Sequence, residues 1–467
     1  MLDYKVKIGL VPDVRDLGDF DTRKGIFEPA KGVERKDAAI SYIKSKFADE
    51  NTEFCDLEWL NKLGVVYKNS DCDKVCEYLK QENVDAIFII NCNFGNEEVC
   101  GQIAKKMGVP VLLWGPQDMV FEPDGSRYTD SQCGLFAISK QLKRLNVPFS
   151  YIENCEITAP VFEAGVRQFL SVVTMVKNFK KLKVTQVGTR LNAFKSVMIN
   201  EMELTEKFGI NFQTVNMAQF IDRFNKVIVA KSEEIEKESA VIKSKYNIGT
   251  LDDETLRKLT ALVFVYIGIF EDTACDVIAT ECWSALPLAV GVAPCLAMSI
   301  LADMGYNVTC EYDVHGAITN ALLLCATRGA LAPTFGEFTV RHPENKNAEL
   351  LWHCGPFPYS TKAEDSEAKL VNTKPAFRAK DGKYTIARFQ GERGKYTLLG
   401  GKFTTCEGPL TQGTYMWAQF GNWAKIEKKM INGPYIHHMS EIFGDYAETL
   451  EEFCKYVPEV EYDPIEE

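Results

Sequence analysis

Residues 86–114 read AIFIINCNFGNEEVCGQIAKKMGVPVLLW, and this stretch decides the fold. Ala86–Ile90 is a continuous apolar run of strand length, and Val111–Trp114 is a second one. Between them, Glu97–Met107 has its apolar residues at helical spacing. A strand, a helix and a strand in this order predict two parallel strands joined by a crossover helix.

The same alternation extends in both directions from this stretch. Upstream, Val6–Val11 is predicted as a strand and Asp37–Phe47 as a helix. Downstream, a charged segment at Lys177–Lys183 precedes a new strand at Val184–Val187, and after about residue 330 the apolar residues recur at period two. We predict an α/β protein with two Rossmann-like, doubly wound parallel-sheet domains followed by a β-rich C-terminal domain, with boundaries at residues 1–178, 179–330 and 331–467.

Composition excludes several classes of function. A net charge of -12 disfavours nucleic acid as a partner, because binding to phosphates requires a basic surface. No apolar run reaches the roughly 18 residues that span a bilayer.

The N-terminus, MLDYKVKIGLV, lacks the apolar run of a signal peptide, so we expect a cytoplasmic protein with reduced thiols. The fifteen cysteines contain no paired CxxC motifs, so most are predicted to be small core residues and not zinc ligands.

Candidate chemistry is concentrated in the last third of the chain, which holds all five histidines. Residues 310–317, CEYDVHGA, place Glu311 beside the apolar helix Ala317–Thr327, and the strand Pro333–Val340 that follows contains Glu337. A strand, helix and strand unit returns its second strand beside the first, so the two glutamates are predicted to share one site. Two carboxylates and one or two imidazoles suit Mn²⁺, Mg²⁺ or Co²⁺.

Each of these residues also has an ordinary structural interpretation. Glu311 would serve as a helix cap, Glu337 as a surface acid on a strand, and His353 as a hydrogen-bonded core residue. Trp283, in the tripeptide Glu281-Cys282-Trp283 after an apolar helix, is interpreted first as a core residue and second as a platform for a sugar.

Together with a His-His pair before a Gly-Asp-x-x-x-x-Leu helix, these motifs resemble the L-fucose and L-arabinose isomerase superfamily. The resemblance implies a metal-dependent aldose–ketose isomerase that acts through an enediol on a pentose, a 6-deoxyhexose or a related sugar. It assigns Glu311 and Glu337 as metal ligands and proton-transfer groups, without deciding which of them is the base. His353 and His438 are the remaining implied metal ligands, with His437 as an alternative to His438, and the implied ion is Mn²⁺, with Co²⁺ or Mg²⁺ as alternatives.

The resemblance also implies an assembly. In the relatives, loops of the first domain reach the active site of a neighbouring subunit, so we expect a homo-oligomer, a trimer or a hexamer, with shared active sites. The implied sugar-binding residues are Arg15, Phe94, Trp283, Asp313 and His437. Two alternatives remain open: another sugar enzyme on the same scaffold, such as an epimerase, and a protein that binds a sugar without converting it.

Overall fold

The computed structural model describes residues 1–118 and 121–466. The chain divides into two compact units, one of Tyr4–Lys177 and one of Met1–Asp3 with Asn178–Glu467. Within the described residues, no helix is both long and apolar enough to cross a membrane.

The first unit contains a parallel five-stranded sheet in the order β2-β1-β3-β4-β5. Its strands are β1 (Val6–Asp13), β2 (Thr52–Cys55), β3 (Ala86–Asn91), β4 (Val111–Trp114) and β5 (Ser150–Tyr151). Its helices are α1 (Pro29–Phe47), α2 (Asp71–Gln81), α3 (Glu97–Met107) and α4 (Ser131–Arg144), and α5 (Pro160–Phe179) runs from this unit into the next.

Local chemistry explains why α3 begins and ends where the sequence predicts. The side chain of Asn96 accepts hydrogen bonds from the backbone N–H groups of Glu98 and Val99, which caps the first turn. Gly108 ends the helix with a left-handed φ of 64°, a conformation that glycine adopts without a steric penalty. Strands β3 and β4 are buried along their whole length, which explains their continuous apolar runs.

The second unit begins with a four-stranded parallel sheet in the order β7-β6-β8-β9. Its strands are β6 (Lys183–Val187), β7 (Asn211–Val215), β8 (Val277–Thr280) and β9 (Asn307–Thr309). The helices of this region are α6 (Glu201–Phe208), α7 (Met217–Ala230), α8 (Ser232–Lys245), α9 (Asp253–Thr273), α10 (Ala285–Val290), α11 (Cys295–Asp303) and α12 (Val314–Ala326). Strand β8 separates α9 from Glu281, so the prediction that Glu281-Cys282-Trp283 follows a helix directly is wrong.

The rest of this unit is a nine-stranded sheet in the order β12-β13-β16-β11-β10-β17-β14-β15-β18. An additional pairing between β15 and β16 closes six of these strands into a barrel. The strands are β10 (Thr334–Arg341), β11 (Ala348–His353), β12 (Lys369–Val371), β13 (Lys374–Arg378), β14 (Lys383–Glu392), β15 (Lys395–Cys406), β16 (Thr414–Gln419), β17 (His438–Phe443) and β18 (Val460–Pro464). Two helices accompany them, α13 (Trp423–Asn432) and α14 (Ala447–Lys455). The predicted fold class, two parallel-sheet α/β regions followed by a β-rich region, is confirmed.

Helix α12 lies between the two sheets of this unit. It contacts β8 and β9 of the parallel sheet and β14 and β17 of the barrel, and each of its residues is buried. A helix covered on all sides is largely apolar around its circumference, as the sequence VHGAITNALLLCA is apart from the buried polar residues His315, Thr319 and Asn320. The strand before α12 and the strand after it therefore belong to different sheets, which corrects the expectation that the second strand returns beside the first.

One buried acid in the first unit leads to a prediction about stability. Asp13, at the end of β1, is fully buried and accepts a hydrogen bond from the backbone N–H of Asn96 at 2.7 Å. Burial raises the pKa of Asp13 to about 7, because it outweighs the hydrogen bond, which lowers the pKa. The unfolded chain loses this proton near about pH 4, so folding stability falls as the pH rises from about 4 to 7.

Asp13→Asn should therefore be more stable than the wild type above about pH 8, by on the order of a few kcal/mol, and should lose that advantage near about pH 4. Denaturant unfolding at the two pH values measures the difference. The same pH dependence in both proteins would show that Asp13 does not titrate as described.

Candidate metal centre

Glu311 lies in a short turn, Cys310–Tyr312, between β9 and α12. Both Glu311 and Tyr312 have positive φ angles, 61° and 60°, which non-glycine residues rarely adopt. Such a conformation costs about 1 to 3 kcal/mol and is characteristic of functional sites. The turn places the side chain of Glu311 in the interior, where the residue is 6 % exposed.

Glu337 and His438 face each other across two neighbouring strands. They are direct partners in the antiparallel pairing of β10 with β17, and Glu337 is also opposite Trp352, the neighbour of His353, on β11. His438 Nε2 lies 3.1 Å from Glu311 Oε2 and 3.7 Å from Glu337 Oε1. His353 Nε2 lies 3.5 Å from Glu337 Oε1. The structure thus brings the four predicted residues together in one buried centre.

His438 is held in place from behind by a buried ion pair. Its Nδ1 lies 2.8 Å from Asp313 Oδ2, and Arg388 binds both carboxylate oxygens of Asp313. Burial alone would raise the pKa of Asp313, but the charge of Arg388 and the hydrogen bond and charge of His438 hold that pKa well below its usual range. Because the ionised Asp313 accepts a hydrogen bond from the Nδ1–H of His438, the lone pair of this imidazole is on Nε2. This is the usual arrangement behind a metal-ligating histidine.

His353 is arranged differently. Its Nδ1 accepts a hydrogen bond from the backbone N–H of Cys354 at 2.8 Å, so in neutral imidazole the proton is on Nε2. That Nε2–H points toward the acids and has no hydrogen-bond partner among the described residues. This geometry favours His353 as a donor to a carboxylate or a sugar oxygen over a direct metal ligand.

The donor set fits a divalent cation. Glu311, Glu337 and His353 offer ligand atoms within 4.8 Å of one another, as do Glu337, His437 and His438. Two buried carboxylates close together repel one another, and burial raises the pKa of Glu337 although His353 and His438 oppose the shift. A cation between the acids removes both costs, and this mixture of oxygen and nitrogen donors suits Mn²⁺, Mg²⁺ or Co²⁺.

The other predicted residues occupy different positions. Asp313 is fully buried behind His438, whereas His437 is exposed beside it. Trp283 is 57 % exposed and makes an edge-to-face contact with Phe194, so its interpretation as a core residue is wrong. In the first unit, the guanidinium of Arg15 lies 4.2 Å from the ring centre of Phe94, where β1 and β3 end.

Sequence reasoning missed Arg388, which is fully buried on β14. It lies 75 residues from Asp313, and a lone arginine in a strand pattern is normally assigned to the solvent face. Every residue of Tyr384–Gln390 is buried, so neither face of this part of β14 is exposed to solvent.

Two glutamates and one histidine that converge in an α/β chain form a donor set suited to a divalent cation. The profile of the family described as "Fucose/sulfoquinovose isomerase, N-terminal domain" matches residues 20–180. A sulfoquinovose isomerase from Priestia aryabhattai is 26 % identical over 389 residues, covering 80 % of this chain and 84 % of its own. A sulfoquinovose isomerase from Alkalicoccus urumqiensis is 25 % identical, covering 68 % of this chain and 71 % of its own.

The chain is similar to the fucose isomerase-like superfamily, and the resemblance inferred from its motifs is confirmed. Among solved structures, a solute-binding protein of an ABC transporter from Burkholderia multivorans is 12 % identical and covers 70 % of this chain and 96 % of its own. Its TM-score is 0.16, a similarity that bears on neither fold nor function.

Proposed function

We propose that this chain is an aldose–ketose isomerase whose active site is the centre of Glu311, Glu337 and His438. The observation that carries the proposal is the convergence of two glutamates on His438, one from the turn after β9 and one from β10, with His438 held in place by the buried Asp313–Arg388 ion pair. The sulfoquinovose isomerases similar to this chain support the reaction class. Manganese is the proposed ion, with cobalt and magnesium as alternatives.

Moving a carbonyl from C1 to C2 of a sugar requires removal of the proton on C2 and delivery of a proton to C1. A bound divalent ion supplies Lewis acidity to the oxygens on these two carbons. Glu311, Glu337 and His438 would hold that ion. Asp313 fixes the ring of His438 through Nδ1, and Arg388 keeps Asp313 ionised.

The exposure of the two glutamate side chains is the basis for assigning each of them a role in the reaction. The side chain of Glu337 is 15 % exposed and that of Glu311 is 5 % exposed, so Glu337 has the freer approach to a sugar. We assign Glu337 the transfer of the proton between C2 and C1. Glu311, whose Oε2 lies beside His438 Nε2, is assigned to holding the ion and relaying protons at the sugar oxygens.

A panel of aldoses tests the proposal and ranks the substrates. The purified protein is incubated with Mn²⁺ and with sulfoquinovose, L-fucose, L-arabinose or glucose, and ketose formation is measured. We expect conversion of at least one sugar, with sulfoquinovose converted fastest because the similar isomerases carry that name. Epimer formation without ketose would assign the chain to a different reaction, and binding without conversion would identify a non-catalytic protein.

Arg15 and Phe94 are proposed to contact the sugar of a neighbouring subunit in a homo-oligomer. If they do, each active site takes Arg15 from one subunit and Glu337 from its neighbour, so Arg15→Ala and Glu337→Gln each remove one of these two residues. Each variant alone should have little activity, and co-expressed hybrids should recover part of it because some sites then receive both intact contributions. Light scattering should show a trimer or a hexamer. A fully active monomer, or hybrids no more active than their parents, would contradict shared sites.

A further inference from the structure

Four cysteines from four separate segments converge near the acid centre. Cys282 follows β8, Cys295 begins α11, Cys310 follows β9 and Cys354 follows β11. The sulfur of Cys282 lies 3.1 Å from that of Cys310, and the sulfur of Cys295 lies 3.4 Å from that of Cys354. Cys310 and Cys354 join the two pairs, since their sulfurs and a ring nitrogen of His353 lie within 4.8 Å of one another. We call these four residues the thiol quartet.

The sulfur–sulfur distances of the thiol quartet can be compared with those of a tetrahedral thiolate site. Sulfur ligands lie about 2.3 Å from Zn²⁺, which places neighbouring sulfurs about 3.8 Å apart. The two sulfur pairs, at 3.1 and 3.4 Å, are closer than this, and none of the four thiols is in a disulfide. Cys310 and Cys354 form the central pair, and coordination of one ion by all four thiols requires Cys282 and Cys295 to rotate about their Cα–Cβ bonds toward that pair.

The surroundings of the quartet favour negative charge. A divalent ion with four thiolates carries a net charge of about -2, which needs a compensating cation when it is buried. Lys374 supplies one: burial alone would lower its pKa, but the charges on Cys354, Cys295, Cys310 and Cys282 raise it. Soft sulfur donors with no carboxylate among them select Zn²⁺ or Cd²⁺ over Mn²⁺ or Mg²⁺.

We propose that the thiol quartet is a second metal site, specific for a thiophilic d¹⁰ cation such as Zn²⁺ and separate from the acid centre. Each thiol that coordinates the ion releases its proton to solvent. The site is adjacent to the acid centre through the backbone, because Cys310 precedes Glu311 and Cys354 follows His353. An ion in the quartet fixes the two segments that carry these residues. The inference does not depend on the isomerase reaction.

Cadmium is the probe that tests this site, because Cd²⁺ bound to thiolates absorbs in the ultraviolet whereas Cd²⁺ bound to oxygen and nitrogen does not. The full-length protein is reduced, stripped with EDTA, saturated with Mg²⁺ and titrated with Cd²⁺. We expect thiolate absorption that saturates at one ion per chain, accompanied by proton release. A large excess of Zn²⁺ should reduce the absorption, because Zn²⁺ competes for the same thiolates although Cd²⁺ binds them more tightly. A titration of the wild type without thiolate absorption overturns the proposal, whether or not any variant folds.

Serine variants locate the absorption. Cys310→Ser and Cys354→Ser should each lower the Cd²⁺ affinity by at least about 10- to 100-fold, the loss expected when a metal site is damaged. The matched control is Cys406→Ser, since Cys406 is partly buried like Cys354 and lies outside the quartet. Cys133→Ser tests the exposed thiol of the first unit. Absorption that disappears with Cys133 or Cys406 and persists without Cys310 and Cys354 would place the cadmium elsewhere and refute the site.

Discussion

Glu337→Gln is expected to lower kcat by about 10²- to 10⁴-fold, the usual contribution of a positioned acid or base. Glutamine keeps the size of the side chain and its ability to accept hydrogen bonds, but it cannot take up a proton from C2. Glu311→Gln should also lower kcat, and it should raise the Mn²⁺ concentration needed for half-maximal activity because Glu311 is assigned mainly to holding the ion. Steady-state kinetics at several Mn²⁺ concentrations separates the two effects.

Glu349→Gln is the matched control for these variants. Glu349 is a buried glutamate on β11, next to the strand of Glu337, and burial raises its pKa to about 7. Its neutral form resembles glutamine, so this change should leave kcat close to that of the wild type. Near-normal turnover in Glu337→Gln would remove Glu337 from the proton transfer, and an equal loss in Glu349→Gln would indicate a general effect on the sheet.

Removal of divalent ions should abolish activity, and Mn²⁺ or Co²⁺ should restore it. The physical reason is the cost of two buried carboxylates without a cation, together with the need for a Lewis acid at the sugar oxygens. The same ions should raise the thermal unfolding temperature, because they bind the folded chain in preference to the unfolded one.

His438→Ala should weaken both effects of the ions, since it removes the nitrogen that Asp313 orients toward the acids. His342→Ala serves as its control: His342 is only partly buried, lies outside the centre, and accepts hydrogen bonds at Nδ1 from the backbone N–H groups of Glu344 and Asn345. Full activity in a sample shown to be free of metal would exclude the ion from the reaction.

The parts of the fold that were predicted correctly are those set by local chemistry. Strands β3 and β4 are buried on both faces, so their apolar runs are unmistakable, and Asn96 and Gly108 fix the ends of the helix between them. Strand β8 was missed because its four residues lie only four positions after the long apolar helix α9. Without a proline or a charged run in between, periodicity does not separate the two elements.

The candidate centre was predicted in its residues but not in its architecture. Glu311 and Glu337 converge, yet their strands belong to different sheets with α12 between them, an arrangement that depends on long-range packing. Arg388 and the thiol quartet were not predicted from the sequence for a related reason. Spacing motifs such as CxxC detect ligands that are close in sequence, whereas the four cysteines of the quartet come from four separate segments of the chain.

The central claim, that this centre moves a carbonyl between C1 and C2 of a sugar, is tested most directly by following one labelled carbon. Sulfoquinovose labelled with ¹³C at C1 is incubated with the protein and Mn²⁺, and the carbon spectrum is recorded over time. The proposed reaction converts the labelled hemiacetal carbon into a hydroxymethyl carbon, and Glu337→Gln prevents the change. The same experiment is repeated with each labelled sugar of the aldose panel. If the labelled carbon stays a hemiacetal in every case, the assignment of this chain as an isomerase is contradicted.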